Sequence, residues 1–286
     1  MSKLKIVVTG ASGFIGGHLI RHLSGIASIE IVPLTRRDIP NLIRVSNYAD
    51  APYGDVLIHL AEDNDIENVA NRGLFYENET LSTLQRLLAK KYKKVIYISS
   101  STLYGDKSRI PHNTKDQVFT KNPYTRIKRL SECAVLENPN GIVIRLANVY
   151  GPGMSTNNVV SQILKQISQR GDLEVGDINP IRDFIWVQNV VEGITLLALM
   201  ELAEIGKTRM YNLGSGEGTS IGNLALLILE LAGQPERHVL SKNQVQVASS
   251  IVLDYSDTTN ACGWTPRTSL RQGIKSLLTS NFRSES

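Results

Sequence analysis

The sequence predicts an α/β protein, a doubly wound parallel sheet followed by a smaller α/β unit, and three observations carry that expectation. Short β-rich runs at 4–8, 29–34, 56–60, 95–99 and 142–146 are apolar nearly throughout, as strands covered on both faces are. Helical patterns separate several of these runs, over 14–23, 74–91 and 123–136, and such alternation implies right-handed crossovers between parallel strands. The stretch Thr9-Gly10-Ala11-Ser12-Gly13-Phe14-Ile15-Gly16 joins the first strand to the first helix through three spaced glycines. Strand, glycine-rich turn and helix in that order place a helix N-terminus where a dinucleotide pyrophosphate is received.

Taken in order, Leu4 to Val8 forms the first strand, and Phe14, Ile15, Leu19, Ile20 and Leu23 give the first helix its apolar face. Gly10 permits the tight turn, Gly13 the approach of the phosphates, and Gly16 the packing of helix on strand. Backbone N–H groups of Phe14, Ile15 and Gly16 would face the same phosphates. The segment from Arg37 to Asp55 is too short for a full helix and is expected to carry a small strand over 43–46. After Gly151-Pro152-Gly153 the pattern loosens into a helix over 159–169, strands over 173–175 and 183–187, and helices over 190–202, 220–231 and 269–278. Ser220 reads as an N-cap, and Gly233 as the end of the helix that Ser220 opens. The expected division is a Rossmann-type domain over 1–150 and a smaller C-terminal α/β substrate domain over 151–286, with 182–204 packing back on the first.

Two clusters carry chemistry. The strand over 95–99 runs into Ser99-Ser100-Ser101-Thr102-Leu103-Tyr104-Gly105, and ligands of open α/β sheets sit beyond the carboxyl ends of the strands. Downstream, Tyr124 and Lys128 are spaced i, i+4 and so share one helix face. A phenol titrates near ~10, and lowering that by about three units takes roughly 4 kcal/mol of phenolate stabilisation. A neighbouring ammonium and an oxidised nicotinamide can supply it in a dry site. Ser100 would then hydrogen-bond the substrate oxygen and hold it near Tyr124.

Composition excludes other classes. The chain has 286 residues, 42% hydrophobic and 20% charged, which describes an ordinary globular protein with room for a sizeable core. A net charge of +4 suits anionic small molecules and lacks the dense basic stripe of a nucleic-acid binder. Of the basic knots, Arg36-Arg37 and Lys90-Lys91 with Lys93-Lys94, the second is expected to cap a solvated helix. Cys133 and Cys262 are expected to be buried thiols in a reducing compartment. The first strand starts so early that no signal peptide is expected, and no apolar block is long enough to span a bilayer. The expectation is a soluble, cytoplasmic protein with no membrane or nucleic-acid partner. His18 and His22 at i, i+4 lack a third ligand, so no metal is expected, and His59 inside an apolar strand reads as a satisfied core residue.

The chain resembles the extended short-chain dehydrogenase/reductase family, in its nucleotide-sugar epimerase/dehydratase/reductase branch. The resemblance rests on TGASGFIG at 9–16, DVLIHLA at 55–61, VIYISSSTLYG at 95–105, YTRIK at 124–128, RLANVYGPG at 145–153, RDFIWVQNVV at 182–191 and YNLGSGEGTSI at 211–221. It implies that Tyr124 is the acid/base, that Lys128 is its partner and grips the nicotinamide ribose, and that Ser100 aligns the reacting hydroxyl. It further implies cofactor contacts at Gly10, Gly13, Phe14, Ile15, Gly16, Arg36, Leu60 and Ala61. Substrate contacts are implied at Ser100, Ser101, Thr102, Asn148 and Arg182, with Arg267 balanced between phosphate contact and a plain surface residue. Relatives often pair the 74–91 and 123–137 helices, so a homodimer is expected.

Three departures from the family pattern sharpen the expectation. Where NAD enzymes often end the second strand in an acidic residue, this chain has Thr35-Arg36-Arg37. Arginine can make charge-assisted bonds to a 2′-phosphate worth about 1.5–3 kcal/mol each, so NADP(H) is favoured over NAD(H). Asn47 stands where relatives commonly place Asp near the adenine. Ser101-Thr102 replaces the Asp-Glu pair that 4,6-dehydratases use, and hydroxyls cannot shuttle that proton at neutral pH. The acidic loop Glu62-Asp63-Asn64-Asp65 is expected to be solvated, the alternative being that it shapes the substrate pocket. The function expected first is a 4-keto-sugar reductase acting on a nucleotide sugar. The alternatives are a nucleotide-sugar 4-epimerase of UDP-glucose or UDP-N-acetylglucosamine type that retains NAD, and a non-catalytic dinucleotide-sensing protein.

Overall fold

The computed structural model describes residues 3–106, 110–201, 209–243 and 249–283. Its central sheet is parallel throughout and seven-stranded: β1 (Leu4–Thr9), β2 (Ile29–Thr35), β3 (Ile43–Arg44), β4 (Val56–His59), β5 (Lys94–Ser100), β6 (Gly141–Leu146) and β10 (Met210–Leu213). They lie in the order β10-β6-β5-β4-β1-β2-β3. Chain order reverses between β1 and β4, where a doubly wound sheet opens its ligand crevice. Helices α1 (Phe14–Ser24), α2 (Ile66–Leu88), α3 (Pro123–Glu137) and α5 (Val187–Leu199) cover the sheet. Both faces are therefore buried, which explains strands without polar alternation.

A second core gathers on β7 (Asn148–Tyr150), α4 (Val159–Leu164), β8 (Leu173–Val175), β9 (Ile181–Trp186), β11 (Gly218–Ser220) and α6 (Ile221–Leu231). It is completed by β12 (Val239–Ser241) and α8 (Leu270–Arg283), while β13 (Ser250–Ile251) pairs with β9 and α7 (Ser256–Cys262) packs on β10 beside the main core. Around β9 stand β11 antiparallel and both β13 and β7 parallel, while β8 pairs with β12. Helix α5 returns to the main sheet and places Val190, Val191, Ile194 and Leu197 in the same core as Leu19 and Leu23 of α1. It ends at Leu199, and residue 202, the last of its expected range, lies outside the described residues.

Several elements differ from expectation for identifiable reasons. Helix α2 starts eight residues before its expected first turn, because Asp65 caps it by accepting from the N–H groups of Glu67 and Asn68. A kink at Gly73, φ 56°, then hides the continuity of the pattern. Helix α4 stops at Leu164 rather than 169, where Gln166 turns to bond Glu174 of β8. The seventh strand, β10, was not foreseen, being only four residues long.

The lysine knot does not cap a solvated helix. Lys94 is buried in β5 and donates to Leu197 O (3.1 Å) and Ala198 O (2.9 Å), the carbonyl end of α5. Both cysteines are half-buried rather than fully buried.

Candidate functional site

The loop after β1 shows why two of its residues are glycine. Gly10 has φ +73°, and a Cβ there would sit 3.0 Å from the backbone of Leu60 and Ala61 at the end of β4. At Gly16 a Cβ would come within 2.2 Å of Gly10 O, so α1 can approach β1 this closely only without a side chain. No side chain caps α1 at Gly13, and its first turn carries no acidic residue. The leading N–H groups, including those of Phe14, Ile15 and Gly16, therefore form an electropositive cradle. A dinucleotide pyrophosphate fits this chemistry.

Past the end of β2, Arg36 lines a crevice with Asn47, Tyr48, Ala61, Glu79 and Thr83. Its guanidinium lies 5.5 Å over the Tyr48 ring, and Nη1 is 3.8 Å from Glu79 Oε1. Arg72 approaches the same carboxylate at 3.0 Å. Asn47 accepts from Ala49 N–H and so fixes the turn that forms the crevice wall.

Ser100 closes β5, and its Oγ accepts from Thr102 N–H at 3.3 Å and shares a hydrogen bond with Thr102 Oγ1 at 2.9 Å. Ser101 is buried beneath this turn. Helix α3 is set by Asn122, which accepts from Thr125 N–H while Thr125 Oγ1 accepts from Asn122 N–H, with Pro123 in the first turn. That cap fixes Tyr124 and Lys128 on the buried face against β5. Lys128 Nζ lies 5.9 Å from the Tyr124 ring centre and donates to Ile98 O at 2.9 Å, two residues before Ser100. One turn further, Glu132 takes both arms of Arg145 (2.7 and 2.8 Å) and Ser99 Oγ (2.7 Å), tying α3 to β5 and β6.

A third group was missed. Glu62 is not part of a solvated loop: its side chain is 4% exposed, with Oε2 2.9 Å from Lys128 Nζ. Tyr97 OH donates to the same oxygen at 2.7 Å, and Ser131 Oγ donates to Oε1 at 3.4 Å. Burial pushes the Glu62 carboxyl up, but the Lys128 charge, His59 and the bonds from Lys128 and Tyr97 bring it below the usual carboxylate range. Burial likewise pushes the Lys128 ammonium down, and Glu62 reverses the effect, so the net shift is upward. The available signal was position: Glu62 follows the central apolar strand β4, just beyond its carboxyl end. His59 is buried with Nδ1 on Thr9 Oγ1 (2.7 Å), and burial lowers its pKa to about 4, which keeps it neutral.

Beyond β6 a cavity of about 470 Å³ opens, within the range of small-ligand sites. Asn148 and Arg182 line it together with Asn158, Gln162, Asp177 and Phe184. Asn148 Nδ2 donates to Asp183 O, and Arg182 Nη1 donates to Ile181 O and Ser249 O. On the main sheet Ser100 pairs with Leu146, the last residue of β6, two residues before Asn148; neither Ser100, Tyr124 nor Lys128 lines this cavity. Arg267 is exposed and does not line this cavity; its backbone N–H bonds Asn189 Oδ1. His18 and His22 bond Pro152 O and Gln188 respectively. Among the described residues no helix is long and apolar enough to cross a membrane, and no cluster of three metal-ligating side chains occurs.

Comparison with known proteins agrees with this geometry. Residues 6–214 match the model of the NAD dependent epimerase/dehydratase family. GDP-6-deoxy-D-mannose reductase of Pseudomonas aeruginosa is 29% identical, covering 96% of both chains. An uncharacterized UDP-glucose epimerase of Bacillus subtilis, YtcB, is 26% identical over 95% of this chain and 96% of its own. The solved structure of RMD from Pseudomonas aeruginosa, complexed with NADPH, superposes with a TM-score of 0.84 at 26% identity, covering 99% of this chain and 100% of that one.

Proposed function

This chain belongs to the NAD dependent epimerase/dehydratase family, nucleotide-sugar enzymes of the extended short-chain dehydrogenase/reductase type, and from that premise we propose that it is an NADP(H)-dependent reductase of a nucleotide-linked 4-keto sugar. The observation that carries the reading is Arg36. It lines the crevice past β2; if adenosine binds there, a carboxylate at this position would repel a 2′-phosphate and a guanidinium would attract it. The similar enzyme that reduces a GDP sugar, and the solved relative holding NADPH, support the same direction.

The bound cofactor would supply the hydride, and this chain's residues supply position and protons. Gly10, Gly13 and the first turn of α1 would hold the pyrophosphate, with the backbone of Leu60 and Ala61 packed against Gly10. Lys128 grips the nicotinamide ribose. Ser100 holds the substrate oxygen while Tyr124 gives it a proton. Asn148 and Arg182 hold the sugar nucleotide in the cavity beyond β6. Thr102, bonded to Ser100, and Ser101, buried beneath that turn, carry no acid for water elimination. A cytoplasmic homodimer pairing α2 and α3 completes the proposal.

The test is the nicotinamide released when purified protein is heat-denatured. An empty site, or NADP(H), supports an exchanging reductase. Nearly one NAD per chain overturns the reading of Arg36 and favours a 4-epimerase, which must keep its cofactor through both half-reactions.

A further inference from the structure

The acid/base reading uses Tyr124, Lys128 and Ser100 and leaves unexplained a carboxylate buried against them. Glu62 is met from four elements. His59 of β4 lies 4.0 Å from Oε1 and is neutral; Tyr97 of β5 donates its hydroxyl; Lys128 and Ser131 of α3 complete the pocket, with Tyr124 beside Lys128. From α2 comes Tyr76, whose OH accepts from Asp63 N–H and whose ring carries Arg72 at 4.0 Å. Arg72 in turn faces Asp63 at 4.0 Å and Glu79 at 3.0 Å, so its charge is offset by carboxylates of its own. The buried charges in contact are thus one carboxylate and one ammonium.

An ammonium has three protons. Ile98 O and Glu62 Oε2 each take one from Lys128 at 2.9 Å, leaving a single N–H for the crevice. An uncompensated ammonium beside the Tyr124 ring would pull the phenol towards phenolate, the form that accepts a proton from an alcohol. A paired ammonium exerts less of that pull.

We propose that Glu62 is a positioning residue: it clamps Lys128 against β5 and offsets its charge at Tyr124, biasing the site towards donating a proton to a carbonyl rather than taking one from an alcohol. The inference rests on Tyr124 and Lys128 being the acid/base pair, and it gives the reductase reading a cause inside the site itself.

The test needs no substrate. The full chain is titrated by tyrosinate absorbance, as wild type and as Glu62→Gln, each with its Tyr124→Phe counterpart subtracted. Glu62→Gln keeps the shape and hydrogen-bonding capacity and removes the charge, so the Tyr124-dependent midpoint should fall by about one pH unit, a tenfold change. Glu62→Asp keeps the charge and should hold most of the wild-type value. A midpoint unmoved in Glu62→Gln, or moved equally in both variants, overturns the proposal, because packing and not charge would then be at work. If Glu62→Gln alone fails to fold, the change is made in a Lys128→Gln background, where no lone charge is buried. There the midpoint should stay within about half a pH unit of wild type, as two charges that offset each other require, and a shift of about a full unit or more overturns the proposal. Failure to turn over any nucleotide sugar would count against the proposed function and leave this titration unaffected.

Discussion

Replacing Arg36 by Ala should weaken NADPH binding about 10- to 150-fold and leave NADH binding nearly unchanged. The estimate starts from one charge-assisted contact to a 2′-phosphate, worth about 1.5–3 kcal/mol, at 1.36 kcal/mol per decade. Arg36 is 53% exposed, so solvent screening places the expected loss in the lower half of that range. Two contacts hold the guanidinium before any phosphate arrives, the Tyr48 ring at 5.5 Å and Glu79 at 3.8 Å. A surface pair of that kind contributes about 0–1 kcal/mol, and Glu79 is shared with Arg72, so a phosphate displaces it readily. The assay is fluorescence titration of NADPH and NADH into wild type and Arg36→Ala, with circular dichroism to establish that both are folded. Equal affinity of the wild type for the two cofactors would refute the reasoning. So would an equal loss of both in the variant, since that would mean Arg36 braces Tyr48 rather than recognises phosphate.

Tyr124→Phe should lower turnover about 10²- to 10⁴-fold while NADPH affinity, read by the same fluorescence, stays near wild type; turnover at the wild-type rate would remove Tyr124 from the chemistry. Arg182→Ala should weaken binding of a nucleoside diphosphate at least about tenfold by calorimetry, since Arg182 lines the cavity beyond β6. Glu132→Gln should cost about 3–5 kcal/mol in chemical denaturation, because it leaves Arg145, 1% exposed, without its counter-charge. The Glu62–Lys128 pair should shape stability against pH. Glu62 is depressed, so its contribution is present above the unfolded carboxyl value of about 4.3 and lost as pH falls through the lower folded value. Lys128 is raised, so its contribution is present below about 10.4 and lost as pH rises through the higher folded value. Glu62→Gln should flatten part of the acid limb of the denaturation midpoint against pH.

The main sheet was legible because its longer strands are buried on both faces and therefore carry uninterrupted apolar runs, and because glycine spacing, unlike side-chain packing, survives in one dimension. What stayed hidden was either short or dependent on partners. The four residues of β10 become a strand only because β6 offers an open edge to Met210–Leu213. The first turns of α2 are polar, with Glu67, Asn68, Asn71 and Arg72, and owe their helicity to the Asp65 cap rather than to an apolar stripe. Lys94 looked like part of a solvated charge run, yet the end of α5, more than a hundred residues away, supplies the carbonyls that let it be buried. That Tyr124 and Lys128 share one buried helix face was legible from their spacing. Glu62 was not, because an acidic residue in a polar quartet reads as solvated until its long-range cation is known.

That long-range cation points to how the helix carrying Tyr124 is held. Lys128 and Glu132 are one turn apart on the same buried face of α3, and each is ion-paired to a residue from the sheet or its edge: Lys128 to Glu62 after β4, Glu132 to Arg145 on β6. Burying two such pairs is a poor route to stability, since desolvation consumes most of the Coulomb gain and apolar residues of equal size would serve as well. Position is what the pairs supply. An apolar face can slide or rotate on a sheet at little cost, whereas a bidentate guanidinium–carboxylate contact and a clamped ammonium each tolerate one geometry. With Ser99 Oγ and Ile98 O joining the same two groups, the residues just before Ser100 are tied to the helix that presents Tyr124. On the proposed mechanism these ties would fix the hydroxyl at the end of β5 relative to the phenol on α3, as proton transfer to a bound oxygen requires.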